Sequence, residues 1–133
     1  MLVAIADTHA AIWYLASDPR LSGAAREMMK SASRNGDWIG VSSIFLVEMV
    51  YLVEKSRIPA QRFTQLVNEL LDKESVFAEI PVALPIARTL SQVEASAIPD
   101  MPDRIIAATA LHLKVPVISR DGRIRLSSIQ TIW

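Results

Sequence analysis

Hydrophobic positions along the chain fall into two kinds of stretch. Five short runs are largely apolar: "LVAIA" (2–6), "WIGVS" (38–42), "VFAEIPV" (76–82), "VPVIS" (115–119) and "IQTIW" (129–133). A run like the first, apolar throughout, suits a central strand of a parallel sheet, because helices cover both of its faces. The longer stretches between them carry helix signals. "THAAIWYLA" follows the first run directly with Thr8 as candidate cap, and "LSGAAREMMKSASRNG" (21–36) reads as a helix ending near Asn35-Gly36. "IPAQRFTQLVNELLDKE" (58–74) has an early Pro59 and then a helical period through Phe63, Leu66, Val67, Leu70 and Leu71. "SSIFLVEMVYLVEK" (42–55) predicts a helix capped by Ser42 or Ser43, "ALPIARTLSQVEA" (83–95) a short one, and "PDRIIAATALHLK" (102–114) a late one with Pro102 near its start. Strands alternating with helices define βα units. The expected fold is therefore α/β, one domain over 1–133, with a mostly parallel sheet between helices.

One position breaks the pattern. From Ile44 to Val53 only Glu48 is neither apolar nor aromatic, and its helical neighbours Ile44, Phe45, Tyr51 and Leu52 offer a carboxylate nothing to pair with. An ionised group taken out of water without a partner is costly, so either this face is exposed or a cation meets Glu48 there. Other acids stand beyond the carboxyl ends of strands, where parallel sheets collect reactive groups. Asp7 directly follows the first run, and Asp121 lies two residues after "VPVIS". Asp103 opens the late helix, and all four acids are placed to converge on one edge of the sheet.

Composition narrows the chemistry. At 133 residues and 51% hydrophobic, the chain is long enough for a core and too apolar for disorder. No apolar run approaches the roughly 18 residues of a membrane span, and no basic region precedes the apolar start "MLVAIADTHA". A cytoplasmic protein with no membrane partner is expected. Cysteine is absent, which excludes disulfides, thiolate metal sites and thiol chemistry. Carboxylates with no cysteine, and histidines that do not pair in sequence, suit a hard cation: Mg²⁺ or Mn²⁺ takes oxygen ligands and keeps waters that substrate phosphates can replace. Such an ion can activate water and stabilise charge developing on a phosphodiester. It would also be the partner that Glu48 lacks. The chain balances 14 basic against 14 acidic side chains. Once metal neutralises Asp7, Glu48, Asp103 and Asp121, the basic groups are in excess, which suits a polyanion.

Three blocks, in order and at fitting spacing, carry a resemblance: "ADTHAAIWYL" at the start, "SSIFLVEMVYLVEK" in the middle and "PDMPDRIIAATALHLKVPVISRDGRI" near the end. Over nearly its whole length the chain resembles the PIN-domain ribonucleases, in particular the VapC toxins of type II toxin–antitoxin pairs. The resemblance implies a three-layer αβα PIN-like domain acting as a metal-dependent endoribonuclease toxin, which hydrolyses RNA phosphodiester bonds by metal-activated water. It also implies that Asp7, Glu48, Asp103 and Asp121 are the catalytic metal ligands for Mg²⁺ or Mn²⁺. Two departures from the family pattern stand out. "DMPDR" replaces a common "DPxDR", which makes Asp100 a candidate fifth acid and leaves open which of the pair binds metal. Ser119 stands where threonine is common, with the hydroxyl kept. The implied partners are RNA, a cognate antitoxin and a second copy of the chain in a homodimer. Apolar surface on "AAIWYL" and "IFLVEMVYLV" beyond what one core hides points to the same contacts.

Each residue has a plainer alternative. Asp7 suits a helix cap, Asp103 a first-turn acid stabilised by the helix dipole, Asp121 a turn before Gly122, and Glu48 an exposed interface. Thr8, Arg104, Ser119 and Arg120 flank the acids and are the candidates for substrate binding, the arginines through phosphate oxygens. The two hydroxyls fit capping, or holding a ligand carboxylate, equally well. His9 suits a structural place, and Trp13, Trp38 and Trp133 suit core or interface. A non-catalytic PIN-like RNA- or protein-binding module would need an acid missing, and none is. A phosphoryl-accepting receiver or phosphohydrolase would need paired acids beside the first strand and a later lysine, against the lone Asp7 and Arg120 here.

Overall fold

A computed structural model describes every residue from Met1 to Trp133. Its five strands are β1 (Leu2–Ala6), β2 (Trp38–Ser42), β3 (Phe77–Ile80), β4 (Val117–Ile118) and β5 (Thr131–Ile132). They lie in the order β3-β2-β1-β4-β5, and every neighbouring pair is parallel. The helices are α1 (Thr8–Leu15), α2 (Gly23–Asn35), α3 (Ser43–Glu54), α4 (Ala60–Leu71), α5 (Leu84–Leu90), α6 (Met101–Leu113) and α7 (Gly122–Leu126). The chain builds outward from β1 through β2 to β3, then crosses back to lay β4 and β5 on the other side of β1. Strand order therefore reverses between β1 and β4. The crevice beyond the carboxyl ends at such a switch point is where open parallel sheets bind ligands.

Strand alternation divides the core into two layers. Ala4, Ala6, Ile39 and Val41 face one side, with Trp13 of α1, Met29 of α2, Phe45 and Met49 of α3 and Leu66 of α4. Ile5 and Val117 face the other, with Ile86 of α5, Ile106 and Ala110 of α6 and Ile124 of α7. The sheet is buried on both faces, so the αβα sandwich stands. Gly40 is needed for that second layer: a Cβ there would meet Ile5 Cδ1 at 2.6 Å and Ile80 Cγ1 at 2.9 Å.

The first helix is capped by Asp7, with Thr8 as its first residue and not its cap, and four further details differ from the sequence pattern. The last two strands are shorter than their apolar runs, although bonding outlasts the regular strand: Ile5 N–H donates to the Pro116 carbonyl at 2.9 Å and Ser119 N–H to that of Ile132 at 3.2 Å. The helix expected over 83–95 stops at Leu90. A short helix, α7, begins where Asp-Gly suggested only a turn. The fourth is a correction to the surplus apolar surface. On α1, Ala10, Ala11 and Trp13 are buried, and Ile12, Tyr14 and Leu15 pack against the main core. Only α3 leaves such a surface, at Val47, Val50 and Tyr51. No helix is long and apolar enough to cross a membrane.

Candidate active site

Three helices begin at the crevice, and an acid caps each one. Asp7 Oδ1 accepts the Ala10 N–H of α1 at 2.9 Å. Asp100 Oδ2 accepts the Asp103 N–H of α6 at 3.2 Å. Asp121 Oδ1 accepts the Arg123 and Ile124 N–H groups of α7 at 2.9 and 3.1 Å. The first N–H groups of a helix have no partner within it, so these carboxylates satisfy donors that would otherwise be orphaned. Capping and function are not rivals here, because at Asp100 and Asp121 a cap bond occupies one carboxylate oxygen and leaves the other. Glu48 enters from α3 and accepts the Thr8 hydroxyl at 2.7 Å. Asp103, in the first turn of α6, makes no side-chain hydrogen bond. An open cavity of about 320 Å³ gathers all five: Asp7, Glu48, Asp100, Asp103 and Asp121.

These acids repel, and no ion pair neutralises them, although His9 in the same cavity partly offsets the charge of Asp7 and Glu48. The ion pairs present, Met1 with Asp37, Arg20 with Asp18 and Arg34 with Glu27, involve none of the five. Burial pushes the Asp7 carboxyl up, against hydrogen bonds from Ser119 and the Ala10 N–H. It pushes Glu48 up as well, opposed by the Thr8 hydroxyl and reinforced by the charges of Asp100 and Asp7. Asp103 rises to about 7, first through burial and then through repulsion from Asp100, Asp121, Glu48 and Asp7. As the side chains stand, no three acids are close enough to hold a metal ion directly. Mg²⁺ does not require that, since it is usually held through one or two carboxylates with water completing its octahedron. An oxygen-only donor set with unbonded oxygens on Glu48, Asp100, Asp103 and Asp121 fits such an ion.

Two candidates for substrate binding take other places. Ser119 is fully buried, donates its hydroxyl to Asp7 Oδ2 and accepts the Asp121 N–H at 3.0 Å. It reaches no substrate; it ties the end of β4 to two acids. Arg104 donates from Nε to the Val93 carbonyl at 2.8 Å and from Nη2 to that of Leu90 at 3.1 Å. It ties down the end of α5 and is absent from the cavity wall. Thr8 lines the cavity but gives its hydroxyl to Glu48. Arg120 also lines it, with its guanidinium 4.6 Å from the centre of the Trp13 ring. Trp13, read from sequence as core or interface, is buried and is also part of the cavity wall. The available signal was its spacing of four from His9, which also lines the cavity; this puts both on one face of the helix that Asp7 caps.

Fold and site together define a parallel α/β protein that gathers carboxylates at its switch point. The PIN domain model matches residues 4–128, and the chain belongs to the PIN-domain family. It is similar to Ribonuclease VapC22 of Mycobacterium tuberculosis, with 30% identity over 129 residues that cover 94% of this chain and 92% of that protein. Two solved structures share its fold. One is VapBC2 from Rickettsia felis bound to a DNA fragment from its promoter, with TM-score 0.71, 17% identity and coverage of 98% and 97% of the two chains. The other is DNA-bound VapBC from Salmonella typhimurium, with TM-score 0.71, 20% identity and the same coverage.

Proposed function

We propose that this chain is a metal-dependent endoribonuclease, the toxin of a toxin–antitoxin pair. The observation that carries the reading is five carboxylates in one cavity at the switch point without an ion pair among them. Like charges crowded in a half-buried place oppose folding, and a cation-dependent activity gives a reason to keep them. Membership of the PIN-domain family and the likeness to a ribonuclease support the reaction class. The VapBC complexes among its structural relatives support an antitoxin partner.

Asp7, Glu48, Asp103 and Asp121, with Asp100 beside them, would hold Mg²⁺ or Mn²⁺. When bound, the cation supplies activation of water and neutralisation of phosphodiester charge. The chain supplies the positions. Ser119 and the Ala10 N–H take both oxygens of Asp7, so that carboxylate cannot swing. Thr8 fixes one oxygen of Glu48 and leaves the other free. Asp103, unbonded and raised to about 7, is only partly ionised at neutral pH, and a positive charge beside it would favour its ionised form. The exposed Val47, Val50 and Tyr51 of α3 support burial against a second copy in a homodimer.

The direct test is cleavage of mixed-sequence RNA by purified protein in Mg²⁺, Mn²⁺ and EDTA. Cleavage in either metal, lost in EDTA and lost in Glu48→Gln, is expected. Full cleavage in EDTA, or by Glu48→Gln, would remove the metal-site reading.

A further inference from the structure

Arg120 poses an electrostatic puzzle. It shares a cavity wall with five carboxylates, yet it forms no ion pair and donates no side-chain hydrogen bond. A long, mobile cation beside so much negative charge should fall onto one of the acids. Instead its guanidinium lies over the Trp13 ring, 4.6 Å from the centroid. A partly exposed ion pair gains little net energy, and indole is the best of the aromatic partners for a cation, so the stack competes with the pair. The ring cannot easily follow a moving arginine. Trp13 is only 3% exposed, with Trp133 at 6.0 Å and His9 at 5.4 Å between ring centres.

A second guanidinium shows the contrast. Arg20 also lies over the Trp13 ring, at 4.9 Å. It is paired with Asp18 through Nε at 3.0 Å and Nη2 at 2.7 Å. One arginine on this ring is thus matched by a carboxylate, and the one inside the cavity is not. A free guanidinium offers a planar fork of N–H donors that fits two oxygens of a phosphate. Paired with an acid, it would lose those donors and occupy an oxygen that a cation needs.

We infer that Trp13 is a positioning residue that keeps the Arg120 guanidinium off the carboxylates, so that one cavity presents free acids to a divalent cation and a free guanidinium to a phosphate of the RNA backbone. The RNA half rests on the ribonuclease reading; the half concerning the acids does not.

Two measurements test the two halves. Calorimetric Mg²⁺ titration, with no RNA present, reads the acids. Trp13→Leu should weaken Mg²⁺ binding several-fold as Arg120 settles onto the cluster, and Trp13→Leu with Arg120→Ala should restore it. A merely structural Trp13 would leave the double variant as weak as the single one, and that result overturns the spacer role. Should Trp13→Leu not fold, Trp13→Phe, a poorer cation–π partner of similar shape, makes the same comparison with a smaller loss and the same restoration. Steady-state cleavage of a mixed-sequence single-stranded oligoribonucleotide reads the phosphate. Arg120→Ala should raise KM much more than it lowers kcat and should reduce the slope of log KM against log salt by about one. Arg120→Lys should recover part of the KM. An unchanged KM and salt slope in Arg120→Ala overturns the phosphate role. Absence of cleavage by the unaltered protein overturns the ribonuclease reading and the phosphate role with it, while the Mg²⁺ titrations still decide the role of Trp13.

Discussion

Asp7 and Asp103 belong to one cavity and are supported in opposite ways. Asp7 is 8% exposed, caps α1 and takes the hydroxyl of Ser119 from the end of β4. Burial raises its carboxyl, and two hydrogen bonds pull it back. Asp103 is half-buried and makes no side-chain hydrogen bond, and every neighbouring acid adds to the rise that burial begins. The β1–α1 junction would be damaged without its aspartate, whereas the first turn of α6 would fold more easily without Asp103. A group that the fold uses says little about chemistry. A group that the fold merely tolerates, in a cleft, is better evidence of function.

Substitution at both positions should separate these roles. Asp7→Asn and Asp103→Asn should each cut RNA cleavage by about 10²–10³-fold, the scale of several kcal/mol of lost charge stabilisation. Their unfolding free energies without metal should diverge when alanine is used. Asp103→Ala should match or exceed the unaltered protein, and Asp7→Ala should fall, by about 1 kcal/mol for the lost cap and about 1–3 kcal/mol for the stranded Ser119 hydroxyl. Equal destabilisation at both sites would erase the distinction.

Ser119→Ala comes next in size. It removes the hydroxyl shared by Asp7 and Asp121 and should lower stability by about 1–3 kcal/mol. Cleavage should drop by about 10–100-fold, as for residues that orient metal ligands. Chemical denaturation and kcat on one preparation check both numbers; normal kcat would show that Asp7 holds its place unaided.

The pH dependence follows from Asp103. Its carboxyl titrates near 3.8 when unfolded and near 7 when folded, so below about pH 4 it is protonated in both states and costs nothing. As pH rises from about 4 to 7, the unfolded chain releases this proton while the folded one keeps it, and stability without metal declines, levelling off above about 7. Asp7 and Glu48, also raised, act in the same direction. Thermal melts in EDTA across this range should show the decline, and Asp103→Asn should flatten it. A slope identical in both proteins would place the titration elsewhere.

The smallest effect concerns Arg104. Arg104→Ala should lower the melting temperature through two lost bonds to carbonyls while leaving KM for RNA unchanged. A raised KM would return Arg104 to the substrate.

The convergence of the four principal acids on one cavity was legible from sequence because their signals are local. Asp7 and Asp121 follow apolar runs, Asp103 starts a helical period, and Glu48 interrupts one. What holds these acids was legible only in part: holding a carboxylate was one of two readings of Thr8 and Ser119, but which acid each hydroxyl meets was not. Ser119 meets Asp7 across 112 positions and Thr8 meets Glu48 across 40, and no local pattern encodes either pair. The Glu48 puzzle had pointed to a cation, yet within the chain its partner is a neutral hydroxyl. Arg104 looked like a phosphate ligand because it adjoins Asp103, but on a helix adjacent residues point in different directions. Helix α7 spans five residues, too few to show a period, and its Asp-Gly opening mimics a turn. The apolar residues of α1 suggested an exposed face because sequence does not reveal that Ala10, Ala11 and Trp13 are buried and that Ile12, Tyr14 and Leu15 pack against the main core.

Thermal denaturation of the unaltered protein and Asp103→Asn side by side at pH 7.5, in EDTA and then in rising MgCl₂, tests most directly whether the unpaired acids exist for a cation. Asp103→Asn should melt at or above the unaltered protein in EDTA. At about 100 times the Kd, bound Mg²⁺ should stabilise the unaltered protein by about 2.7 kcal/mol, a rise of several degrees at this size, and Asp103→Asn should rise much less. If Asp103→Asn melts lower in EDTA and the two proteins respond alike to Mg²⁺, the acids serve the fold and not a metal.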